Sequence, residues 1–124
     1  MVSMYSLEIT IPIPCISVPS DPPTDLQVSM VTAFSVYLNW SPPLTPNGVI
    51  VSYTIVVVED RNIPILVTSI VISNTSSTVD NLLPYRNYSF MVAASTSVGL
   101  GPYEMMTART LEDGEFERAY SEQL

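Results

Sequence analysis

Apolar and polar positions alternate with a period of two over most of the chain, and clusters of Pro, Gly, Asn and Ser interrupt the alternation at short intervals. Strands place successive side chains on opposite faces, so this pattern predicts strands joined by turns, and the central region sustains no helical period. Leu26, Val28 and Met30 mark a first strand, and Val36, Leu38 and Trp40 a second. A turn-forming stretch, Ser41-Pro42-Pro43-Leu44-Thr45-Pro46-Asn47-Gly48, leads into the run Val49 to Val58. That run predicts a third strand, and its apolar residues on both faces imply a central strand or one whose second face is covered. Ile65 to Ile72 predicts a fourth strand, and the Ser/Thr/Asn stretch 73–78 leads to a short fifth around Val79, Leu82 and Leu83. Tyr88, Phe90, Val92 and Ala94 form the most regular apolar row and predict a sixth strand. After the loop Ser95 to Pro102, Tyr103 to Thr110 closes the set as a seventh. Seven short strands with Pro- and Gly-marked turns imply an all-β chain folded as a seven-stranded immunoglobulin-like β-sandwich.

Domain limits follow from composition. Pro19-Ser20-Asp21-Pro22-Pro23 removes three ladder donors and reads as a stiff lead before the first strand. The expected division is a flanking segment over 1–18, a single domain over 19–110 and an acidic, disordered tail over 111–124. The flanking segment alternates at Leu7, Ile9, Ile11 and Ile13, as the last strand of a preceding domain would, or as a strand added to this domain's edge. In the tail, Phe116, Ala119, Tyr120 and Leu124 fall at helical spacing, but one short helix is marginal in water.

At 47% hydrophobic and 13% charged, the 124-residue chain carries enough apolar material for one buried core. Its net charge is −8, with neither histidine nor lysine. The cationic footprint that nucleic acid or an anionic membrane surface attracts is therefore absent, and neither is an expected partner. The longest mostly apolar run, ended by Glu59-Asp60-Arg61-Asn62, falls well short of a bilayer span, so direct membrane insertion is not expected. Residues 1–20 carry no basic n-region and are broken by Pro12 and Pro14, so no signal peptide is expected. Cys15 is the only cysteine, which excludes a disulfide within the chain and leaves the core to hold by packing. No catalytic, metal-binding or cofactor-binding residues are expected: a histidine base, a nucleophilic cysteine setting, a glycine-rich phosphate loop and metal-ligand spacing are all missing from the sequence.

Several ordered landmarks between Pro19 and Thr110 resemble the fibronectin type III family. Pro22-Pro23 followed by Leu26 and Val28 is similar to its first strand, and Val36-x-Leu38-x-Trp40-x-Pro42-Pro43 to its second. Gly48-x-Ile50-x-x-Tyr53-x-Ile55-x-Val57 is similar to the third strand. Leu82-x-Pro84-x-x-x-Tyr88-x-Phe90-x-Val92-x-Ala94 resembles the tyrosine-corner signature, and Gly99-x-Gly101-Pro102 the turn before the last strand. The resemblance implies that Trp40, Tyr53, Leu82, Pro84 and Tyr88 are structural anchors, with the Tyr88 hydroxyl bonded to backbone near the Leu82 to Pro84 corner. Where some relatives carry an Arg-Gly-Asp attachment tripeptide, this chain has Val98-Gly99-Leu100, which does not support attachment by that route.

Three sequons, Asn39-Trp40-Ser41, Asn74-Thr75-Ser76 and Asn87-Tyr88-Ser89, make Asn39, Asn74 and Asn87 candidates for N-glycosylation if the chain is secreted. Asn74 and Asn87 are favoured by positions in or beside loops. Asn39, between inward-facing neighbours, is expected to reach solvent with its side chain, although a strand interior makes it a less accessible acceptor. By resemblance, the expected function is a non-catalytic protein-interaction or spacer module of an extracellular or cell-surface receptor or adhesion protein, with neighbouring domains in a larger parent chain and protein partners of unstated identity. The wording of strands and loops looks most like repeats in the ectodomains of receptor-type tyrosine phosphatases, type Q among them. The chain itself lacks that family's Cys-and-Arg phosphate loop. The alternatives are an intracellular structural spacer and an accessory domain of a receptor phosphatase whose catalytic part lies elsewhere.

Overall fold

The computed structural model describes residues 16–113. The expectations for Cys15, for the alternating segment that precedes it and for the helical spacing beyond Asp113 lie outside the described residues. The described chain forms seven strands: β1 (Thr24–Val31), β2 (Val36–Ser41), β3 (Ser52–Glu59), β4 (Ile65–Ile72), β5 (Ser76–Val79), β6 (Asn87–Ser95) and β7 (Leu100–Arg109). They make a three-stranded sheet in the order β1-β2-β5 and a four-stranded sheet in the order β4-β3-β6-β7, with every pairing antiparallel. The chain is an all-β sandwich.

The alternation seen in the sequence becomes the core. Val36, Leu38 and Trp40 of β2 are buried, as are Tyr53, Ile55 and Val57 of β3, while the residues between them are only half-buried. Tyr88, Phe90, Val92 and Ala94 of β6 join them, with Leu26, Val79 and Leu82 closing the sides. Burying a large aliphatic or aromatic side chain is worth about 1.5–3 kcal/mol, so this interdigitated layer supplies the main stabilising term without a cross-link.

Four details differ from the sequence reading. β3 begins at Ser52, three residues later than its apolar run: Val49 and Val51 are 79% and 53% exposed, and only Ile50 of that stretch packs on the core. Asn47 at φ 60° and Gly48 at φ 156° keep the chain turning before it straightens, and pairing opens at Ser52 with Ser95. β3 is central, but its second face is not buried. The fifth strand is Ser76–Val79, which includes Val79 as expected but has its first three residues in the stretch read as a connection, and Leu82 and Leu83 follow it in a corner. A polar strand of four residues at a sheet edge leaves little apolar period to read. β7 starts at Leu100 and incorporates Gly101 and Pro102, which an edge strand tolerates because the missing proline N–H faces no neighbour. Finally, Met30 is 63% exposed: the register shift between Val28 and Met30 turns it outward, and Val31 packs on the core instead.

Candidate functional site

A corner at one end of the sandwich gathers most of the anchors. Pro84 presets the turn, Tyr85 completes it at φ 55°, and β6 then begins at Asn87. The Tyr88 ring is buried, and its hydroxyl accepts a hydrogen bond of 2.9 Å from the Leu83 N–H. On the other side of the corner, the fully buried Thr110 hydroxyl donates to the Leu83 carbonyl at 2.7 Å and accepts from the Arg86 N–H at 3.0 Å. The Tyr85 N–H donates to the Leu111 carbonyl at 3.0 Å, and the Arg109 guanidinium lies 4.4 Å over the Tyr85 ring centre. A left-handed conformation strains any residue with a Cβ, so this collection of bonds is what holds Tyr85 there. Leu82 is 3% exposed beneath the corner.

Trp40 and Tyr53 meet edge to face where the two sheets approach, with ring centres 5.5 Å apart. Burial removes water from the Tyr53 phenol and pushes its pKa above the ordinary value. The Trp40 indole Nε1 and the Asn39 Oδ1 are both buried and have no hydrogen-bond partner among the described residues.

The acids at the end of β3 have structural partners. Glu59, 6% exposed, ends β3 and receives the Arg86 Nη1 at 3.1 Å, with Arg61 at 3.9 Å. Beside it, the Asp60 carboxylate accepts the Ser89 hydroxyl at 2.9 Å. Carboxylates committed to arginine and serine in this way serve structure, and the described residues contain no group of His, Cys, Asp and Glu able to hold a metal.

The three sequons occupy different surroundings. Asn74 is exposed in the turn between β4 and β5. Asn87 is exposed as the first residue of β6, and its Oδ1 accepts from the Arg109 Nε at 3.1 Å, which leaves the side-chain nitrogen outward. Asn39 corrects the expectation made for it: its side chain is half-buried and its Oδ1 is covered, because β2 is the middle strand of its sheet and neighbours stand on both sides.

At the opposite end, a strap escaped the sequence reading. The segment leading into β1 is bonded to the loop before β3 by five hydrogen bonds: Ser17 N–H to the Asn47 carbonyl, Ser20 N–H to the Thr45 carbonyl, Asn47 Nδ2 to the Val18 carbonyl and to the Ser20 Oγ, and Thr45 N–H to the Asp21 Oδ1, all between 2.6 and 3.1 Å. Thr96 adds a hydroxyl bond to the Ser17 carbonyl at 2.7 Å. A Cβ on Gly101 would come within 2.8 Å of Pro19, so a glycine is needed where the lead crosses β7. The proline run reads as stiff from sequence, but only the fold shows that it is fastened. Leu44, in the loop before β3, and Leu100, the first residue of β7, are 82% and 41% exposed.

The landmarks now have coordinates, and the family model for the fibronectin type III domain matches residues 21–108. The chain belongs to the fibronectin type III family. Fibronectin type III is a non-catalytic fold, in keeping with the structural commitments of the charged groups just described. The chain is 41% identical over 103 residues to Ephrin type-B receptor 5 of Gallus gallus, a match spanning 80% of this chain and 10% of that protein. It is 36% identical over 88 residues to Receptor-type tyrosine-protein phosphatase F of Mus musculus, spanning 68% of this chain and 4% of that protein. The chain thus corresponds to a tenth or less of the curated relatives it matches. Among solved structures, domains A168–A170 of titin are similar at 29% identity and a TM-score of 0.65, covering 77% of this chain and 33% of that one. Among the described residues of this fibronectin type III domain, no helix is long and apolar enough to cross a membrane.

Proposed function

We propose that this fibronectin type III domain acts as a non-catalytic interaction or spacer module in the extracellular part of a larger receptor or adhesion protein. The observation that carries the reading is the match to a small fraction of two receptors, an ephrin receptor and a receptor-type phosphatase, at 41% and 36% identity. The strap fits a module in series: six hydrogen bonds fasten the described lead into β1 against the loops at that end of the sandwich. Any enzymatic activity belongs to another part of such a parent chain. Asn74 and Asn87 present their side chains at the surface, as glycan acceptors of a secreted domain would.

The test is the intact mass of the chain expressed behind a secretion signal in animal cells, before and after removal of N-linked glycans. A mass loss mapped to Asn74 or Asn87 supports the reading. A folded, secreted product with no mass loss withdraws the support that the sequons lend. A second reading, a structural spacer repeat in which the sequons carry nothing, is favoured by the likeness to titin. That second reading gains if the glycan-free product is recovered.

A further inference from the structure

The outer face of the three-stranded sheet carries polar side chains that the fold does not use. Asn39 of the middle strand lies opposite Gln27 of β1 and Ser76 of β5, so the three stand in one row across the sheet. Tyr37 follows two residues along β2 on the same face. With Asp25 and Thr75 they line an open groove of about 510 Å³, within the range of roughly 300–1,000 Å³ at which proteins hold small ligands. Among the described residues, none of these six side chains has a hydrogen-bond partner, whereas Asp21, Asn47, Ser89 and Thr110 are all committed to structure. The Asn39 Oδ1 is out of water as well as unpaired, and such an acceptor needs a donor.

One rim of this groove is a sequon. Thr75 and Ser76, which complete the sequon of Asn74, line the groove, and the Trp40 N–H donates to the Thr75 carbonyl at 3.0 Å, which holds that turn beside β2. We infer that the groove seats the stem of an N-linked glycan carried by Asn74, which rests on the extracellular reading above. Chemistry and tether both select this occupant. A glycan stem offers hydroxyl and amide groups that donate and accept, together with apolar ring faces. Gln27, Asn39 and Ser76 donate and accept in turn, and the half-buried Tyr37 ring supplies an apolar surface beside them. Asp25 is the one charged residue among those that line the groove, so a neutral ligand fits it better than an anionic one. Attachment two residues before Ser76 keeps the sugars at high local concentration, so contacts too weak to retain a free saccharide are enough.

The test asks whether sugar on Asn74 covers Tyr37. The full chain and Asn74→Gln are secreted from animal cells, and intact mass with peptide mapping records which asparagines carry glycan. Asn74 is exposed in a turn, so the variant leaves the core untouched and keeps the Asn87 sequon. Hydroxyl-radical footprinting then compares Tyr37 with Tyr103, which is 41% exposed on the other sheet. With glycan on Asn74, Tyr37 is expected to oxidise several-fold more slowly than in Asn74→Gln or after enzymatic removal of the glycan, while Tyr103 reacts alike in all three and so reports an intact fold. The glycosylated parent should also unfold at higher urea than its stripped form, and Tyr37→Ser should bring those two midpoints together. A Tyr37 rate that a glycan on Asn74 leaves unchanged overturns the inference and leaves the extracellular reading standing. Glycan on Asn87 with Asn74 bare has the same consequence, and a secreted chain with no glycan removes the inference together with the support that the sequons lend to that reading.

Discussion

Thr110 lies beyond the last strand and is 1% exposed, and its hydroxyl connects both sides of the corner that holds Tyr85. Thr110→Val keeps the shape of the side chain and removes only the hydroxyl. The Leu83 carbonyl then loses a donor at 2.7 Å and the Arg86 N–H loses an acceptor at 3.0 Å, with no water-filled space left in exchange. A buried polar group left unpaired costs about 1–3 kcal/mol, and these two are only part-buried, so the pair is expected to cost about 2–3 kcal/mol together. For a domain of this size, that corresponds to a melting temperature lower by about 10–20 °C. Urea unfolding followed by the fluorescence of Trp40, the single tryptophan, measures the loss directly, and the slope of the transition should not change. Thr110→Ser supplies the hydroxyl without the methyl and should recover most of the difference. A Thr110→Val midpoint within error of the parent, or a Thr110→Ser variant as unstable as Thr110→Val, would refute the role given to the hydroxyl.

Arg86→Ala removes the closer partner of the nearly buried Glu59 and leaves Arg61 at 3.9 Å; because the Arg86 side chain is 48% exposed, the expected loss is about 1–2 kcal/mol by urea unfolding, and Glu59→Gln in the same background should restore part of it. Tyr53 ionises at a higher pH folded than unfolded, so the stability tied to its neutral form is present below about pH 10 and is lost as pH rises from there through the folded value. Unfolding midpoints measured from about pH 9 to about pH 11 should fall less steeply in Tyr53→Phe than in the parent; parallel slopes would contradict the assignment. Tyr85→Gly relieves the left-handed strain while losing the contact with Arg109, and is expected to stay within about 1 kcal/mol of the parent. Tyr85→Val, β-branched at the same φ, should lose about 1–2 kcal/mol more than the glycine variant on the same urea curves.

The regular strands were legible because burial on one face writes itself into the sequence as a period of two. β2, β3 and β6 read directly for that reason: each is flanked by other strands, and its inward residues meet the opposite sheet. The edges were harder. Ser76–Val79 has three polar residues of four, so its pairing with β2 rests on backbone bonds that composition does not record. Val49 to Val51 is as apolar as a strand yet stays in the loop, because Asn47 and Gly48 delay the straightening of the chain and no strand lies opposite until Ser95. The bulge at Val28 moved Met30 outward, and one inserted residue cannot be seen in an alternation only three residues long.

At the corner, the sequence marked Leu82, Pro84 and Tyr88 by spacing, while Thr110 and Tyr85 carried no signal. A buried threonine is recognised by the two backbone groups it meets, and those lie 24 and 27 residues away along the chain. The strap is hidden for a similar cause, since its bonds run between backbone atoms and short polar side chains of segments 24–30 residues apart in sequence, and 79 apart for Thr96 and Ser17. The sequons were all visible as motifs, but only the fold separates the outward Asn74 and Asn87 from the half-covered Asn39.

The proposed placement of the domain, outside the cell and within a larger chain, is tested most directly by where the natural protein displays it. An antibody raised against the folded domain, applied to intact cells that make the protein and to the same cells after permeabilisation, reads this without altering the chain. The account predicts labelling of intact cells, removed by protease added to the medium. Labelling that appears only after permeabilisation would contradict it and leave the structural spacer in its place.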